Sequence, residues 1–449
     1  MYITVSRSDE LPLSRRRLLS QVGIASSALV LGAAISTCRP VQPQQQPQVQ
    51  PAKLSILTHY EGQQNQSVMQ PLLDQFTQQN PRIELDYQTV PFDQLLNKII
   101  TTHAGGVPPD VFHIYSLWLP ELSLNDVLAA PPADAITDIR QAYARGSVEG
   151  ASYRNQVWGY PTEVNSYLLI YNRSAFQEAG VSRPPTTWTE LKEIAPRLTK
   201  RDADGKTVQG GMILITGWDS GVVHPFIALL WSNGGRFVSD DNTRVLFNEL
   251  PGQQTLQLTL DLIDMKAVDL ALKQADFLAG RGGMIIMANW WRTTLKNRFP
   301  GGLDNVGVAA IPRGSGPEST LQYLWLWAVD KATKAAPAAW QFLRWMNTPL
   351  QQGGSSPMGT FLINALGVIP ARSSDHQAHQ DVLGDSFLAP FVASLRYARP
   401  EPVIPGAQEI KTVLQKQIEA AWTGQKPGRE ALDTAAQEAN RILAERSKR

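Results

Sequence analysis

The hydrophobic and polar positions of the chain follow two spacings, one typical of strands and one typical of helices. Short apolar runs at 53–58 and 111–115 predict buried strands, and alternation over 83–87 predicts another strand between them. In the intervals, apolar residues recur at helical spacing over 66–79 and 95–100. This βαβαβ order predicts a parallel sheet with helices packed on its faces.

The same alternation begins again near residue 167 and extends to the C-terminus. A buried-type strand at 167–171 is followed by Thr187-x-x-Glu190, a spacing that predicts a capping box at the start of a helix. The further predicted elements are strands at 212–216, 283–288, 306–310 and 323–329, and helices at 225–231, 253–265, 335–346, 410–422 and 430–446. Two α/β lobes account for this organisation better than one large sheet.

The first 52 residues lack such a pattern and predict an export signal followed by a tether. The hexapeptide SRRRLL at 14–19 is similar to a twin-arginine signal and precedes a mostly apolar run at 22–36. Cys38 is the only cysteine of the chain, so it has no intrachain disulfide partner. Residues 35–38 resemble a bacterial lipobox, from which Thr37 departs. We therefore expect 1–37 to be an export signal, Cys38 to carry a lipid anchor, and the Pro/Gln-rich segment 38–52 to form a tether.

Two alternatives for this N-terminal region stay open, namely cleavage without lipidation and an uncleaved anchor. The apolar run is shorter than the roughly 20 residues that span a bilayer, and no later stretch is long or apolar enough. Each alternative still predicts an exported protein, in a periplasm or on the outer face of the cytoplasmic membrane.

Charge and length narrow the classes of protein that fit. The chain has a formal net charge of +1, and residues 1–37 carry an excess of arginine, so the remaining body is close to −1. A nearly neutral body lacks the basic face that nucleic-acid binding requires, which excludes nucleic acid as a partner. About 400 residues remain after the tether, enough for two domains with their own cores.

A set of short motifs occurs in order between about residues 53 and 445. The motifs are AGGVPPDVF (104–112), VWGYP (157–161), LIYNR (169–173), PTTW (185–188), SNGG (232–235), FLAGRGGM (277–284), AAWQFL (338–343) and GVIPAR (367–372). Each motif is weak evidence alone. Because all of them occur in order, the chain resembles the bacterial extracellular solute-binding proteins of ABC importers, the group that includes the maltose-binding protein.

The resemblance implies a type II periplasmic-binding-protein fold, in which two α/β lobes with parallel-type sheets are joined by hinge crossings. The implied crossings lie near 163–166, 323–328 and 369–372. Lobe 1 would then combine 53–162 with 329–369, and lobe 2 would combine 167–322 with 373–449. The ligand would bind between the lobes, which close by a hinge motion, and the closed form would be recognised by the transmembrane permease of an ABC transporter. The resemblance implies a monomer without catalytic activity or cofactor.

The candidate ligand contacts lie beyond the carboxyl ends of the predicted strands, where open parallel sheets bind ligands, and at the implied crossings. They are rich in aromatic rings and hydrogen-bonding groups, a combination that suits a carbohydrate. The candidates are Tyr60, Glu61, Tyr115, Ser116, Trp118, Glu163, Asn165, Trp218, Trp231, Trp290, Trp291, Arg292 and Tyr323. Of Trp290 and Trp291, we expect one to pack inward, and Trp325 and Trp327 share a strand face with Tyr323.

Two alternative functions are kept beside the carbohydrate receptor. A receptor for glycerol phosphate or another polyol would need Arg236, Arg292 or Arg313 to converge on the phosphate. An exported carbohydrate-active hydrolase would need two carboxylates about 5–10 Å apart, for which Glu61 and Glu163 are the available pair. The chain contains neither an H-E-x-x-H nor a G-x-S-x-G motif, and no metal site is predicted.

Overall fold

The computed structural model describes residues 51–448, so the predicted export signal, Cys38 and most of the predicted tether lie outside it. Within these residues the strands, in chain order, are β1 (Ala52–Thr58), β2 (Ile83–Thr89), β3 (Val111–Tyr115), β4 (Ser152–Tyr153), β5 (Gln156–Val157), β6 (Tyr160–Asn172), β7 (Lys200–Arg201), β8 (Thr207–Ile213), β9 (Gly282–Ala288), β10 (Val306–Ala309), β11 (Thr320–Val329), β12 (Ile369–Pro370) and β13 (Ala398–Pro400).

The α-helices lie between these strands and after the last of them. They are α1 (Gln63–Gln79), α2 (Phe92–Ala104), α3 (Leu119–Leu124), α4 (Ala133–Ala142), α5 (Arg145–Gly150), α6 (Arg173–Glu178), α7 (Trp188–Leu198), α8 (Asp219–Ser232), α9 (Leu250–Asp264), α10 (Gln274–Leu278), α11 (Arg292–Arg298), α12 (Ala336–Asn347), α13 (Pro357–Phe361), α14 (Ser373–Ala378), α15 (Gln380–Leu383), α16 (Leu388–Ser394), α17 (Ala407–Trp422) and α18 (Gly428–Arg446). Short 3-10 turns precede α3 and α11, at Ser116–Trp118 and Asn289–Trp291.

The first lobe is built on the predicted βαβαβ unit. Strand β1 pairs in parallel with both β2 and β3, as the order of elements requires. Helix α1 buries Met69, Leu73 and Phe76 against this sheet, because these residues recur on one side of the helix. The carboxyl ends of β1 and β3 therefore lie side by side.

Strand β6 pairs with different strands along its length. Its residues 160–166 run antiparallel to β11, and its residues 167–172 run antiparallel to β9 and β10. Strand β11 also pairs antiparallel with β3, whereas β8 and β9 are parallel. The α/β, two-lobed prediction is confirmed, but the strands form one continuous mixed path. The reason is that β6, with 13 residues, is long enough to serve both lobes.

The middle of β6 is where three segments of the chain meet as neighbouring strands. Asn165 pairs with Tyr323 of β11, and Glu163 pairs with Pro370 of β12. Strand β13 adds to the other edge of β11 and places Glu401 beside it, since the Glu401 amide donates to the carbonyl oxygen of Gln322 at 2.8 Å. Side chains of these segments consequently face the same region.

Two local predictions differ from the structure in detail. At the start of α7, Thr187 Oγ1 accepts from the Glu190 amide, but the Glu190 carboxylate accepts from the amide of Thr186 and from Arg183, so only half of the capping box forms.

Strand β8 begins five residues earlier than predicted and includes Gly211. A Cβ at Gly211 would lie 1.8 Å from the Ala195 carbonyl oxygen, so only glycine fits there.

Candidate functional site

A cavity of ≈ 320 Å³ lies at the carboxyl ends of β1 and β3, beside the middle of β6 and β11. Its wall combines residues from the N-terminal βαβαβ unit with residues from β6, α8 and β11. The lining residues are His59, Tyr60, Asn65, Phe92, Tyr115, Glu163, Asn165, Trp218, Ser220, His224, Trp290, Tyr323, Trp325, Leu366 and Val368. The position agrees with the rule that ligands bind beyond the carboxyl ends of strands.

Glu163 is the centre of a buried hydrogen-bond network on one side of the cavity. Tyr60 Oη and Thr162 Oγ1 both donate to its Oε2, at 2.8 Å and 2.5 Å. His113 Nε2 lies 2.9 Å from Thr162 Oγ1 and 3.2 Å from Tyr60 Oη. Burial raises the pKa of Glu163 to about 7, even though the two hydroxyl groups act in the opposite direction. This carboxyl group therefore titrates near neutral pH.

The histidines beside this network carry no charge at neutral pH. Burial lowers the pKa of His59 to about 3 and holds the pKa of His113 well below its usual value. The ring of His59 stacks on Trp325 at 3.9 Å between centroids, and His113 stacks on the same indole at 4.9 Å. These rings thus behave as part of an aromatic wall.

A second aromatic surface is formed by Trp218, Trp290 and Tyr323. Trp218 and Trp290 meet edge to face, with 6.1 Å between their ring centroids. All three side chains are only partly buried, in contrast to the core tryptophans. Exposed indole and phenol rings of this kind offer flat apolar surfaces to a ligand.

Behind Tyr115, the buried side chains of Glu401, Lys411 and His224 contact one another. Tyr115 Oη donates to Glu401 Oε2, and Lys411 Nζ lies 3.3 Å from Glu401 Oε1. Burial raises the pKa of Glu401, but His224 and Lys411 lower it by more, to about 2. Glu401 is therefore ionised and compensated by Lys411 in the interior.

Seven of the thirteen candidate contacts line the cavity. They are Tyr60, Tyr115, Glu163, Asn165, Trp218, Trp290 and Tyr323. Tyr60, Tyr115, Trp218 and Trp290 lie at or after the ends of strands, whereas Glu163, Asn165 and Tyr323 lie in the middle of β6 and β11. Asn165 Oδ1 is buried and has no hydrogen-bond partner within residues 51–448.

The other six candidates lie elsewhere for identifiable reasons. Glu61 is exposed at the turn before α1, and Ser116 Oγ accepts a 3.5 Å bond from the amide of Leu324. Three more are buried against other partners: Trp118 against Phe92 and Gln408, Trp231 below Arg399, and Trp291 against Phe277. The last, Arg292, is partly buried and pairs with Asp385.

The arginines considered for phosphate binding do not reach the cavity. Arg236 pairs with Asp240 at 3.0 Å, Arg292 pairs with Asp385, and Arg313 lines a separate groove beside Trp188. Among the cavity-lining residues there is neither arginine nor lysine. Within residues 51–448, no group of three or more His, Cys, Asp or Glu side chains is placed to hold a metal ion.

Several lining residues were not among the candidates, and they differ in how clearly the sequence indicated them. His59 directly follows β1, and Trp325 shares a strand face with Tyr323, so local signals existed for both. His224 lies inside α8, where almost every residue is buried and no face is distinguished. Only the packing of α8 against β6 and β11 brings His224 to the cavity.

No helix in the described part of the chain is both long and apolar enough to cross a membrane.

The family described as bacterial extracellular solute-binding protein matches residues 61–353. A putative binding protein of Brucella abortus is 26% identical over 381 residues, covering 82% of this chain and 88% of that protein. The sn-glycerol-3-phosphate-binding periplasmic protein of Salmonella typhimurium is 25% identical over 418 residues, covering 83% and 88%.

Solved structures share the fold. The GacH receptor of Streptomyces glaucescens, determined unliganded and in complex with acarbose, superimposes with a TM-score of 0.75 at 20% identity. The match covers 88% of this chain and 98% of that receptor. At this identity the similarity establishes the two-lobed architecture.

Proposed function

The chain belongs to the family of bacterial extracellular solute-binding proteins, and on that basis we propose that it is the carbohydrate receptor of an ABC importer. It binds a mono- or oligosaccharide between two closing lobes and delivers it to the transmembrane permease. The proposal includes no chemical step on the solute and no cofactor.

The observation that carries the proposal is the composition of the cavity. Its volume of ≈ 320 Å³ lies at the lower end of the range of about 300–1,000 Å³ typical of small-molecule sites. Partly exposed Trp218, Trp290 and Tyr323 offer ring faces to the apolar side of a sugar, while Glu163 and Asn165 offer acceptors to its hydroxyl groups. A polyhydroxylated solute matches both kinds of surface.

The same lining argues against a phosphorylated solute. A phosphate bound here would face Glu163 and Asn165 Oδ1, which has no hydrogen-bond partner among residues 51–448, and the described lining contains no arginine or lysine to compensate the phosphate charge. Placing like charges and unpaired acceptors together in a buried site costs roughly several kcal/mol of binding free energy. A neutral solute avoids this cost. The similarity to a glycerol-phosphate-binding protein therefore supports the class of solute receptor more than it supports glycerol phosphate as the ligand.

A hydrolase is also disfavoured by the lining. Glu163 is the only carboxylate among the lining residues, and Glu61 is exposed outside the cavity. Acid and nucleophile, or acid and base, would both have to reach the scissile bond. A single lining carboxylate supports binding without catalysis.

The proposed closure uses the segments that meet in the middle of β6. The proposed hinges are 163–166, 323–328 and 369–372, with lobe 1 from 53–162 and 329–369 and lobe 2 from 167–322 and 373–449. The pairing of Asn165 with Tyr323 and of Glu163 with Pro370 supports this division, because neighbouring strands can bend together. A solute favours the closed form to the extent that it fits it better.

We further propose that the protein acts outside the cytoplasm, as a monomer anchored through Cys38. An anchored receptor gains effective concentration near its permease. Mass spectrometry of the membrane fraction should find an acylated N-terminal cysteine after processing at 1–37. Unmodified Cys38, or equal membrane retention of the Cys38→Ser variant, would remove the anchor and leave the receptor intact.

The experiment that tests the function is a thermal-shift screen of the purified protein. The panel contains D-glucose, D-mannose, maltose, cellobiose, mannobiose and glycerol 3-phosphate. A ligand present at 100 times its Kd stabilises the folded state by about 2.7 kcal/mol, a readily measured shift. We expect a shift with at least one sugar and none with glycerol 3-phosphate. The opposite pattern would assign a polyol-phosphate receptor, and hydrolysis of any panel sugar would assign an enzyme.

A further inference from the structure

The imidazole of His224 is held from one side by three groups. Its Nε2 lies 2.8 Å from Glu401 Oε1, 2.7 Å from Lys411 Nζ and 3.1 Å from Tyr115 Oη. These groups come from the segment after β13, from α17 and from β3, which are far apart in sequence. The orientation of the ring in α8 is therefore determined through one of its two nitrogens.

In the described part of the chain, the other nitrogen of the ring has no hydrogen-bond partner. His224 is 1% exposed and lines the cavity, yet its Nδ1 makes no hydrogen bond within residues 51–448. Asn165 Oδ1 is in the same situation, and Tyr323 lies next to both side chains: it pairs with Asn165 across the sheet, and its ring centroid is 5.2 Å from that of His224. An unpaired buried polar atom is unfavourable, and a solute that supplies a hydrogen bond removes this cost.

We propose that His224 contacts the solute through Nδ1, and that Glu401 and Lys411 are positioning residues for this contact. Together with Asn165, His224 would select solutes whose hydroxyl groups reach both atoms across the ring of Tyr323. The inference rests on the proposed function, since it requires a solute in this cavity.

The positioning residues also decide whether Nδ1 donates or accepts. Lys411 can only donate to Nε2 and Glu401 can only accept from it, so the balance between them determines the tautomer. The groups around the ring are Tyr115 of β3, Tyr167 of β6, Tyr323 of β11, Glu401, Lys411 of α17, and Asp219 at the start of α8. Burial lowers the pKa of His224, Glu401 raises it and Lys411 lowers it, with a net decrease, so the ring is neutral at pH 7.

The test compares His224→Gln with His224→Asn, using the sugar panel and isothermal titration calorimetry. A glutamine amide lies near the position of Nε2 and preserves the contacts to Glu401 and Lys411, whereas an asparagine amide lies near Nδ1. We expect His224→Gln to raise the Kd by roughly 10- to 100-fold without changing the unfolding midpoint of the free protein. His224→Asn should retain more of the affinity.

His379→Gln is the matched control, because His379 also has a buried ring nitrogen that finds no partner among residues 51–448, but it does not line the cavity. It should bind sugar with the wild-type Kd. A wild-type Kd for His224→Gln would overturn the inference and leave the receptor function standing. If the wild-type protein binds no panel sugar, the proposed carbohydrate function itself fails, which is a different result.

NMR of ¹⁵N-histidine-labelled protein tests the positioning roles without any ligand. Lys411→Met removes the donor to Nε2 and should shift His224 towards the tautomer protonated at Nε2. Glu401→Gln weakens the acceptor and should shift it towards the tautomer protonated at Nδ1, so one variant suffices if the other does not fold. Unchanged ¹⁵N shifts of His224 in a folded variant would overturn the positioning role.

Discussion

Glu163 and Glu401 are both almost fully buried, and their surroundings move their pKa values in opposite directions. Glu163 has hydroxyl donors and neutral histidines around it, so burial dominates and raises its pKa to about 7. Glu401 has Lys411 at 3.3 Å and His224 at 2.8 Å, and their effect outweighs burial, so its pKa is about 2. The sign of the shift depends on whether a cation lies nearby.

The first expected consequence concerns pH and stability. A carboxyl group whose folded pKa is raised stabilises the fold fully below its unfolded pKa, and this stability is lost as pH rises through the folded value. For Glu163 the loss runs from about pH 4.5 to about pH 7. Relative to Glu163→Gln, the wild-type protein should lose up to roughly 3 kcal/mol of unfolding free energy over this interval and nothing more above it.

Denaturant unfolding at several pH values between 4.5 and 8 measures this difference. Glu61→Gln, which changes an exposed side chain outside the cavity, is the control and should follow the wild type at every pH. A pH-independent difference between the wild type and Glu163→Gln would contradict the raised pKa.

Adjacent Trp290 and Trp291 are expected to give different phenotypes. Trp291 is 1% exposed against Phe277, so Trp291→Ala should lower the unfolding free energy by about 3–5 kcal/mol. Trp290 lines the cavity and is partly exposed, so Trp290→Ala should cost much less stability while weakening sugar binding. Calorimetric titration and denaturant unfolding of the two variants separate these effects, and equal stability losses would argue against the assigned environments.

At the scale of elements, the pairing of β6 with β11 connects the lobes and positions the site. The loop before β6 passes so close to β11 that Gly159 has no room for a side chain. A Cβ there would lie 2.0 Å from the carbonyl oxygen of Trp327, which is backbone and cannot move aside alone. The cavity residues Glu163 and Asn165 follow within the same strand, so a shift of this loop would displace them.

Gly159→Ala is therefore expected to lower the unfolding free energy by about 1–3 kcal/mol through overpacking. Gly428→Ala is a suitable control, since the nearest atom to its Cβ would be the tip of the Leu260 side chain at 3.1 Å, which can rotate. Chemical denaturation compares the two variants. Equal stability of Gly159→Ala and wild type would mean that the two backbones separate without cost.

At the scale of the whole molecule, the C-terminal elements contribute to a site whose wall comes mainly from earlier parts of the chain. Glu401 reaches the site through the pairing of β13 with β11, and Lys411 through the packing of α17 beside α8. The site therefore depends on the assembly of nearly the full length of the described chain, which is consistent with a binding site between lobes rather than within one.

Closure should be visible in solution. Small-angle X-ray scattering with the most stabilising panel sugar should give a smaller radius of gyration than the free protein, because the lobes approach one another. Glycerol 3-phosphate, which the lining disfavours, is the control and should leave the radius unchanged. If a sugar stabilises the protein without decreasing its radius of gyration, the sugar binds to a molecule whose lobes are already closed.

Periodicity predicted β1, β3, β9 and β11 around the site, but it did not predict residues 160–166 of β6, which include Glu163 and Asn165, as a strand. Strand β3 was predicted with its observed bounds, and Tyr60 after β1, Tyr115 at the end of β3 and Trp290 after β9 line the cavity. Adjacent positions such as Tyr115 and Ser116, or Trp290 and Trp291, could not be separated. The direction of each side chain after a strand end depends on the turn that follows, here a 3-10 turn in both cases.

The amino-acid sequence by itself determined the alternation of strands and helices, the near-neutral charge and the aromatic character of the strand ends, because these are local properties of the chain. Only the tertiary structure decided that β6 serves both lobes, that His224 reaches the cavity from a uniformly buried helix, and that Lys411 compensates Glu401. Each of these depends on contacts between residues distant in sequence, and burial and charge at such contacts have no local signature.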